Sequence, residues 1–496
     1  MGELFRLEDF DQYKEDNRRE VKRSKGGIPV SVWETYSSFA NCYGGVIILG
    51  IDEQKDKSWR PAGLTESDAD KLIKDFWDIV NNRQKVSINI LKDSDITSYT
   101  VDDSYVVVIT VPMARREDKP VYLNGDLLGG AFRRNGEGDY RCSQSEVKAM
   151  LRDAADSTMD NKIIDHLPLS AIDKESLHSY RNRYRAWKPG HVWENDTDED
   201  FLVKIGAAAI LKEDGQLHPT AAGLLMFGQE YNITREFPHY FLDYREMLDP
   251  SIRWTDRLQS SSGDWTGNIM DFFYRVYNKV QKDIKVPFAL DGIVRVDDTP
   301  VHKAVREALV NCLVNADYYQ PRGVVVKKDA DTLVIENPGS IRTGKNQMLR
   351  GGISDPRNET ILKMFNLIGY GERAGSGVPD IYSVWEKEGW EEPSIVEQYG
   401  PDRTILTLSF RNRLSAKTVD KKPSIKNVDK KPSIKTVENQ NKIRQYLKIY
   451  GESTNAAIAS AIGLSTSRTK EILRNMEDVA AVGDNKNRKY RLIDKQ

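Results

Sequence analysis

A chain of 496 residues is longer than a single hydrophobic core serves, and at about 100 to 200 residues per domain it predicts three or four domains. Its longest aliphatic run, Val46 to Leu49 extended through Gly50 and Ile51, is far short of the ~20 residues needed to cross a bilayer, so a soluble protein is expected and no membrane span. The net charge of −2 conceals an asymmetry: Arg411 to Gln496 hold 20 Lys plus Arg against 9 Asp plus Glu, a net of +11, which leaves −13 for residues 1–410. A basic tail on an acidic body is the pattern of a polyanion contact in the tail, or of a solvated lysine-rich linker. The opening MGELFRLEDF lacks a signal-type apolar region, and Arg6 stands where a myristoylation signal needs Ser or Thr, so the expected location is cytoplasmic. Cys42, Cys142 and Cys312 are far apart and lack C-x-x-C spacing, which excludes a disulfide framework and a cysteine-rich zinc site.

The first motif is EDNRREVK, residues 15–22. Glu15 and Glu20 are five residues apart, a rotation of about 140° on a helix and opposite faces on a strand, so they converge only if a turn or helix end lies between them. Lys22, two residues beyond Glu20, falls on the same strand face. IPVSVWETYSSFANCYGG follows as a helix with Val32, Tyr36, Phe39, Ala40 and Tyr43 inward, Pro29 in its first turn and Gly44-Gly45 at its end. VIILGID then reads as a buried strand with Asp52 at its carboxyl end, a frequent place for functional carboxylates. YVVVITVP (105–112) and AFRRNGEG (131–138) are further predicted strands.

E-x4-E-V-K, a helix ending in FAN-x-x-GG, the strand ILGID, and the late KPVY and RRNGEGDYRCSQSE segments make roughly residues 10–150 similar to the Schlafen-type AlbA-like domain. The resemblance implies nucleic-acid binding. In the nuclease members of that family three acidic residues bind a divalent metal and direct RNA cleavage; they match Glu15, Glu20 and Asp52 here, with Lys22 as the basic residue of the same strand. Mg²⁺ or Mn²⁺ held there would activate a nucleophile and neutralise charge on phosphorus. The plainer reading is an ion pair between Glu20 and Lys22, with Arg18, Arg19, Lys22, Arg23 and Lys25 as a basic patch that binds nucleic acid without cutting it.

TPVHKAVREALVNCLVNADYY (299–319) reads as a helix with Val301, Val305, Leu309 and Cys312 inward and Glu307, Asn311 and Asn315 as a polar line four residues apart. Asparagine is a mediocre helix former, so two of them on one line point to a role. Strands VVVKKD and TLVIENPG follow, then GYGERAGSGVPDI, a glycine-rich loop running into a helix whose backbone N–H groups can approach phosphate oxygens. With HPTAAGLLMFG (218–228), these pieces resemble the degenerate GHKL-type ATP-binding domain, RecG-like at its C-terminus, that follows AlbA-like domains in many bacterial proteins. The resemblance implies ATP as ligand, Glu307 as the water-orienting acid and Asn311 as a Mg²⁺ ligand. It puts Asn337 and Gly339 in the first glycine box and Gly375 and Gly377 in the second. Two departures weigh against turnover: Asn315-Ala316-Asp317-Tyr318 replaces His-Arg-Asp-Tyr, and ENPG replaces Asp-x-Gly at the adenine contact. ATP binding is expected, with at most weak ATPase activity.

The repeat TVDKKPSIK (418–426) and NVDKKPSIK (427–435) is too short and polar to build a core and predicts a tether. Beyond it, Ile443, Leu447 and Tyr450 mark one helix face, and Ser453 or Thr454 caps a second helix with Ala457, Ile458, Ala461 and Ile462 inward. Ser465 caps a third, with Thr469, Ile472, Leu473 and Met476 inward. VAAV, GDNKN and RKYRLI predict a hairpin, completing a winged helix-turn-helix. Thr466, Ser467, Lys470, Glu471 and Arg474 would then face a DNA groove, and Lys486, Arg488 and Lys489 in the wing would meet phosphates.

The expected architecture is α+β: an AlbA-like domain (1–155), a connector (156–292), a GHKL-like ATP-binding domain (293–412), a charged linker (413–438) and a winged helix (439–496). The expected function is an ATP-responsive, DNA-binding regulator, homo-oligomeric as a reader of palindromes would be. The alternative is an ATP-controlled, metal-dependent nuclease acting on RNA or single-stranded DNA in defence against phage or foreign nucleic acid.

Overall fold

A computed structural model describes residues 18–55, 58–249, 251–283, 289–291, 294–296, 299–371, 375–398, 402–413, 434–474, 476, 478–482 and 489–492. The chain divides into two compact units, Met1–Lys417 and Thr418–Gln496. Helices and strands mix throughout several sheets, as an α+β chain requires. Among the described residues no helix is long and apolar enough to cross a membrane.

In the first unit, the strands Arg19–Lys22, Gly45–Leu49, Ser104–Val111 and Ile96–Val101 lie side by side in that order, the first pair parallel and the others antiparallel. Alternation sends Ile47, Leu49, Val107 and Ile109 to one face, against the helices Ser31–Asn41 and Glu66–Val80, and Val46, Ile48, Val106 and Val108 to the other, against Ile51 and Trp59. Both faces are covered, so Gly45–Leu49 is apolar throughout and wholly buried. The predicted strand VIILGID is in fact two. Gly50 adopts φ +93°, and a Cβ there would stand 2.9 Å from the Tyr105 carbonyl oxygen. The chain bends at that glycine, and Asp52 belongs to a separate ribbon, Ile51–Glu53 with Trp59–Pro61. AFRRNGEG likewise splits into the hairpin Phe132–Asn135 and Gly138–Arg141 about Gly136.

Residues 156–292 and 293–412 share one sheet and one core. The six-stranded order is Asp256–Gln259, Leu242–Met247, Val324–Asp329, Thr332–Pro338, Arg403–Ser409, Ser394–Gln398, so two strands of residues 156–292 extend the sheet of residues 293–412. A single apolar cluster runs from Ile164 to Leu408 and includes the buried helix Ala221–Phe227. The helix Pro300–Asn315 starts at Thr299, whose side chain caps it, with Pro300 at its first position; Val301, Val305, Leu309 and Cys312 point into this core.

The second unit contains the helices Ile434–Tyr450, Asn455–Ile462 and Thr466–Arg474 and a three-stranded sheet ordered Ser453–Thr454, Lys489–Leu492, Val479–Val482. Its first helix begins inside the stretch expected to be linker (413–438), of which residues 414–433 lie outside the described residues. Ile443, Leu447, Ile458, Ile472, Leu473, Met476 and Tyr490 form its core, and Thr469 is buried beside them. Three inward assignments are corrected: Tyr450 is exposed, and so are Ala457 and Ala461, because the second helix turns Ile458 and Ala459 to the core. Thr454, of the two candidate caps, accepts the Ala457 N–H, and Gly463 ends this helix at φ +72°.

Candidate functional site

The acidic constellation is built from the edge strand Arg19–Lys22. Glu20 is buried opposite Ile47, and its two oxygens are taken by two cations: Lys22 Nζ on the same strand face and Arg134 at 2.7 Å from the Phe132–Asn135 hairpin. Arg134 also reaches Asp139 at 3.0 Å, and Asp139 accepts from Thr35 at 2.6 Å. Asp52 is half-exposed across the Gly50 bend, with Arg23 Nε at 3.4 Å. Glu15 lies outside the described residues. Among the described residues, no three His, Cys, Asp or Glu side chains converge as metal ligands. Arg18 donates to the Tyr43 carbonyl at 3.0 Å, and both it and Arg19 are half-buried.

The polar line of the Pro300–Asn315 helix opens on a cleft of about 1020 Å³ that brings together Glu307, Asn311, Asn315, Asn337, Gly375 and Gly377. Asn311 Nδ2 donates to Glu307 Oε1 at 3.2 Å, so the Asn311 side-chain Oδ1 is the oxygen that could hold a hard cation. Asn337 Nδ2 turns to the carbonyls of Pro338 (3.1 Å) and Asn315 (3.5 Å), so its Oδ1 is the atom left to accept from a purine amino group. The departure from aspartate at this position therefore keeps an acceptor. Gly377 opens the helix Gly377–Lys387 against Glu307; a Cβ there would lie 2.1 Å from Glu307 Oε1. Gly375, at φ +66°, would place one 2.6 Å from the Ile353 carbonyl oxygen. Gly339, at φ +99°, sits beside the cleft with the Arg357 guanidinium where a Cβ would go. The residues thus fit a nucleotide with a divalent cation: oxygen donors on one helix, backbone N–H groups at the start of another, and glycines that clear the space between.

Sequence reasoning missed what ties this cleft to the N-terminal region. Asp153, on the helix Gln144–Ala154, takes a two-pronged pair from Arg357, 2.7 Å to each oxygen. Arg357 in turn donates to the carbonyls of Asn315 and of Ser340 (3.0 Å), both at the cleft. Arg116 bonds Asp355 at 2.7 Å and the Asp153 carbonyl at 2.9 Å, and Arg342 meets Asp355 at 3.2 Å. Arg152 pairs with Asp317 at 2.7 Å. Burial alone would raise the Asp153 carboxyl, but the Arg357 guanidinium outweighs it and holds it below the ordinary carboxylate range. Partners about 200 positions apart leave no periodic signal; the only hint was an arginine in each of SIRTG and SDPRNE, unexplained by the glycine boxes.

In the second unit, Thr466 and Lys470 are exposed on the Thr466–Arg474 helix, and Lys489 is exposed at the start of the last strand. The side chains of Ser467, Glu471 and Arg474, and residues Lys486 and Arg488, lie outside the described residues.

Comparison with known families finds an AlbA-type match and an ATPase-type match on the two regions that the Arg116–Asp355 pair connects. Residues 9–143 match the family described as Schlafen, AlbA_2. Residues 322–407 match the family described as putative ATP-dependent DNA helicase recG C-terminal, and residues 148–243 a domain of unknown function, DUF8451. No curated protein matches the chain. Among solved structures, the DIP2311 protein of Corynebacterium diphtheriae is 18% identical over 96% of this chain and 92% of its own, with a TM-score of 0.40. The N-terminal domain of a putative ATP-dependent DNA helicase RecG-related protein of Nitrosomonas europaea is 30% identical over 27% of this chain and 90% of its own, with a TM-score of 0.22. Neither TM-score is high enough to define the overall fold.

Proposed function

We propose that this protein is an ATP-binding, DNA-binding regulator. In this reading the C-terminal unit, as a winged helix, docks on DNA through Thr466, Lys470 and Lys489, and the AlbA-like region engages nucleic acid. ATP with Mg²⁺ occupies the cleft between Asn337 and Gly377, with Asn311 toward the cation and Glu307 beside the terminal phosphate. The observation that carries the reading is the Asp153–Arg357–Asn315 connection, reinforced by Arg116–Asp355–Arg342. Residues that line the cleft are hydrogen-bonded to the N-terminal region, so a ligand there has a physical route by which to favour one arrangement of that region over another. The described geometry does not favour the nuclease alternative, because the buried Glu20 already has both oxygens committed to Lys22 and Arg134.

Titration calorimetry of ATP with Mg²⁺ into the full chain tests the cleft. The expected result is saturable binding near one site per chain, weakened at least about tenfold, or 1.4 kcal/mol, by Asn311→Ala. Absence of binding to the intact, folded chain would sink the proposal.

A further inference from the structure

A second concave surface, of about 1250 Å³, adjoins the nucleotide cleft and shares Glu307 and Gly377 with it. Its walls are two helices. Lys303 and Arg306 come from the Pro300–Asn315 helix, about one turn before Glu307 and directly before it, respectively; Arg183 and Trp187 come from the helix Lys174–Trp187, four residues apart and so on one face. Between them stands Tyr370, flanked by Gly369 and Gly371 at φ +83° and +73°. Gly369 lies flat against the Trp187 indole, where a Cβ would be 2.6 Å from the ring, so the backbone fixes the position of a tryptophan that is nonetheless 53% exposed.

Three cations line this surface, Arg183, Lys303 and Arg306. The Arg183 guanidinium lies 5.1 Å from the Tyr370 ring centre, and Arg306 lies 5.6 Å from the same ring while donating to the Tyr277 hydroxyl at 3.0 Å. Among the described residues neither Arg183 nor Lys303 makes an ion pair, and the Arg183 Nε is shielded from solvent without an acceptor. Among the described residues the acidic groups lining this surface are Glu307, which accepts from Asn311, and the exposed Asp380. Arg183 and Lys303, without an ion pair among the described residues, stand beside an exposed indole, the combination that holds a phosphate next to a stacked ring.

We propose that this cleft binds a segment of single-stranded nucleic acid, with one base stacked on Trp187 and adjacent phosphates on Arg183 and Lys303. Its continuity with the first cleft, through Glu307 and Gly377, favours a strand over an isolated nucleotide. An acidic peptide would satisfy the cations but leave the indole face without a planar partner. The proposal stands independently of whether ATP occupies the first cleft. It would bring a strand up to Glu307 and Gly377, so that the same helix faces both ligands.

The test uses the full chain and a short single-stranded oligonucleotide carrying 5-iodouracil, cross-linked by light and mapped by peptide mass spectrometry. A cross-link to Trp187 or Tyr370 is expected, and it should disappear in the Arg183→Ala/Lys303→Ala double variant. Fluorescence anisotropy should show the salt dependence of binding in that variant shallower by about 1.4 in log–log slope, from two phosphate contacts at about 0.7 each. ATP binding by the double variant should stay at the wild-type level, which separates this cleft from the first. If the double variant loses ATP binding too, Trp187→Ala, at an exposed position, replaces it and must lose the Tyr370 cross-link. Cross-links confined to other parts of the chain, an unchanged salt slope, or displacement of the strand by thymidine monophosphate at equal nucleotide concentration would each overturn the proposal.

Discussion

At the scale of single residues, buried charge decides what is structural. Arg134, on the Phe132–Asn135 hairpin, is buried and paired with Glu20 and Asp139, an arrangement in which removing one partner would strand the others. Asp402 is a different case. It faces a pocket lined also by Lys119 and Arg342, and burial lifts its carboxyl to about 6 against the pull of Lys119. A carboxyl raised in the folded state favours the protonated form. Its contribution to stability is therefore complete below its ordinary value of 3.8 and is lost as pH rises through about 6. Thermal unfolding of Asp402→Asn and the parent chain between about pH 4 and 7 should show the parent losing stability relative to the variant, by up to about 1.4 kcal/mol per pH unit within that window. Parallel curves would show that Asp402 is not the group responsible.

At the scale of elements, the glycine-opened helix and the polar helix act as a pair. Gly377→Ala puts a methyl where the Glu307 carboxylate now lies, so either the helix backs away or Glu307 turns out of the cleft. ATP affinity should fall at least about tenfold, 1.4 kcal/mol, with little loss of thermal stability, since Gly377 stands at the first turn and not in the helix interior. Calorimetry that finds the affinity unchanged would remove Gly377 from the phosphate cradle. This pair was legible in the sequence because each part has a local signature: a polar line at four-residue intervals, and glycines before a helix. The helix Ser31–Asn41 and the buried strand Gly45–Leu49 were legible for the same reason. The bend at Gly50 was not, because an apolar run through a glycine reads the same whether or not the chain turns there; the close approach of Leu64 and the Tyr105 carbonyl decides it. Tyr450 was misassigned because its spacing from Leu447 fits the buried face, yet it falls on the last residue of its helix, past the point where the core ends.

At the scale of the whole molecule, the long-range features escaped the sequence. Leu242–Met247 pairs with Val324–Asp329 across some 80 residues, so the connector and the ATPase-type region are one body of structure, although the motifs that mark them are separate. The Arg357–Asp153 and Arg116–Asp355 pairs span about 200 positions or more; the second joins the AlbA-like region, and the first the helix that follows it, to the wall of the cleft that holds Glu307 and Asn311. A ligand in that cleft can influence nucleic-acid binding only by acting unequally on the arrangements these pairs hold, and the influence must be reciprocal. The most direct measurement is the affinity of the full chain for labelled DNA, by anisotropy, with and without saturating ATP and Mg²⁺, in the parent and in Asp153→Asn. The account predicts a change of at least about fivefold on adding ATP, the low end of typical coupling, reduced toward none in the variant. Equal affinities with and without ATP in the parent chain would contradict it.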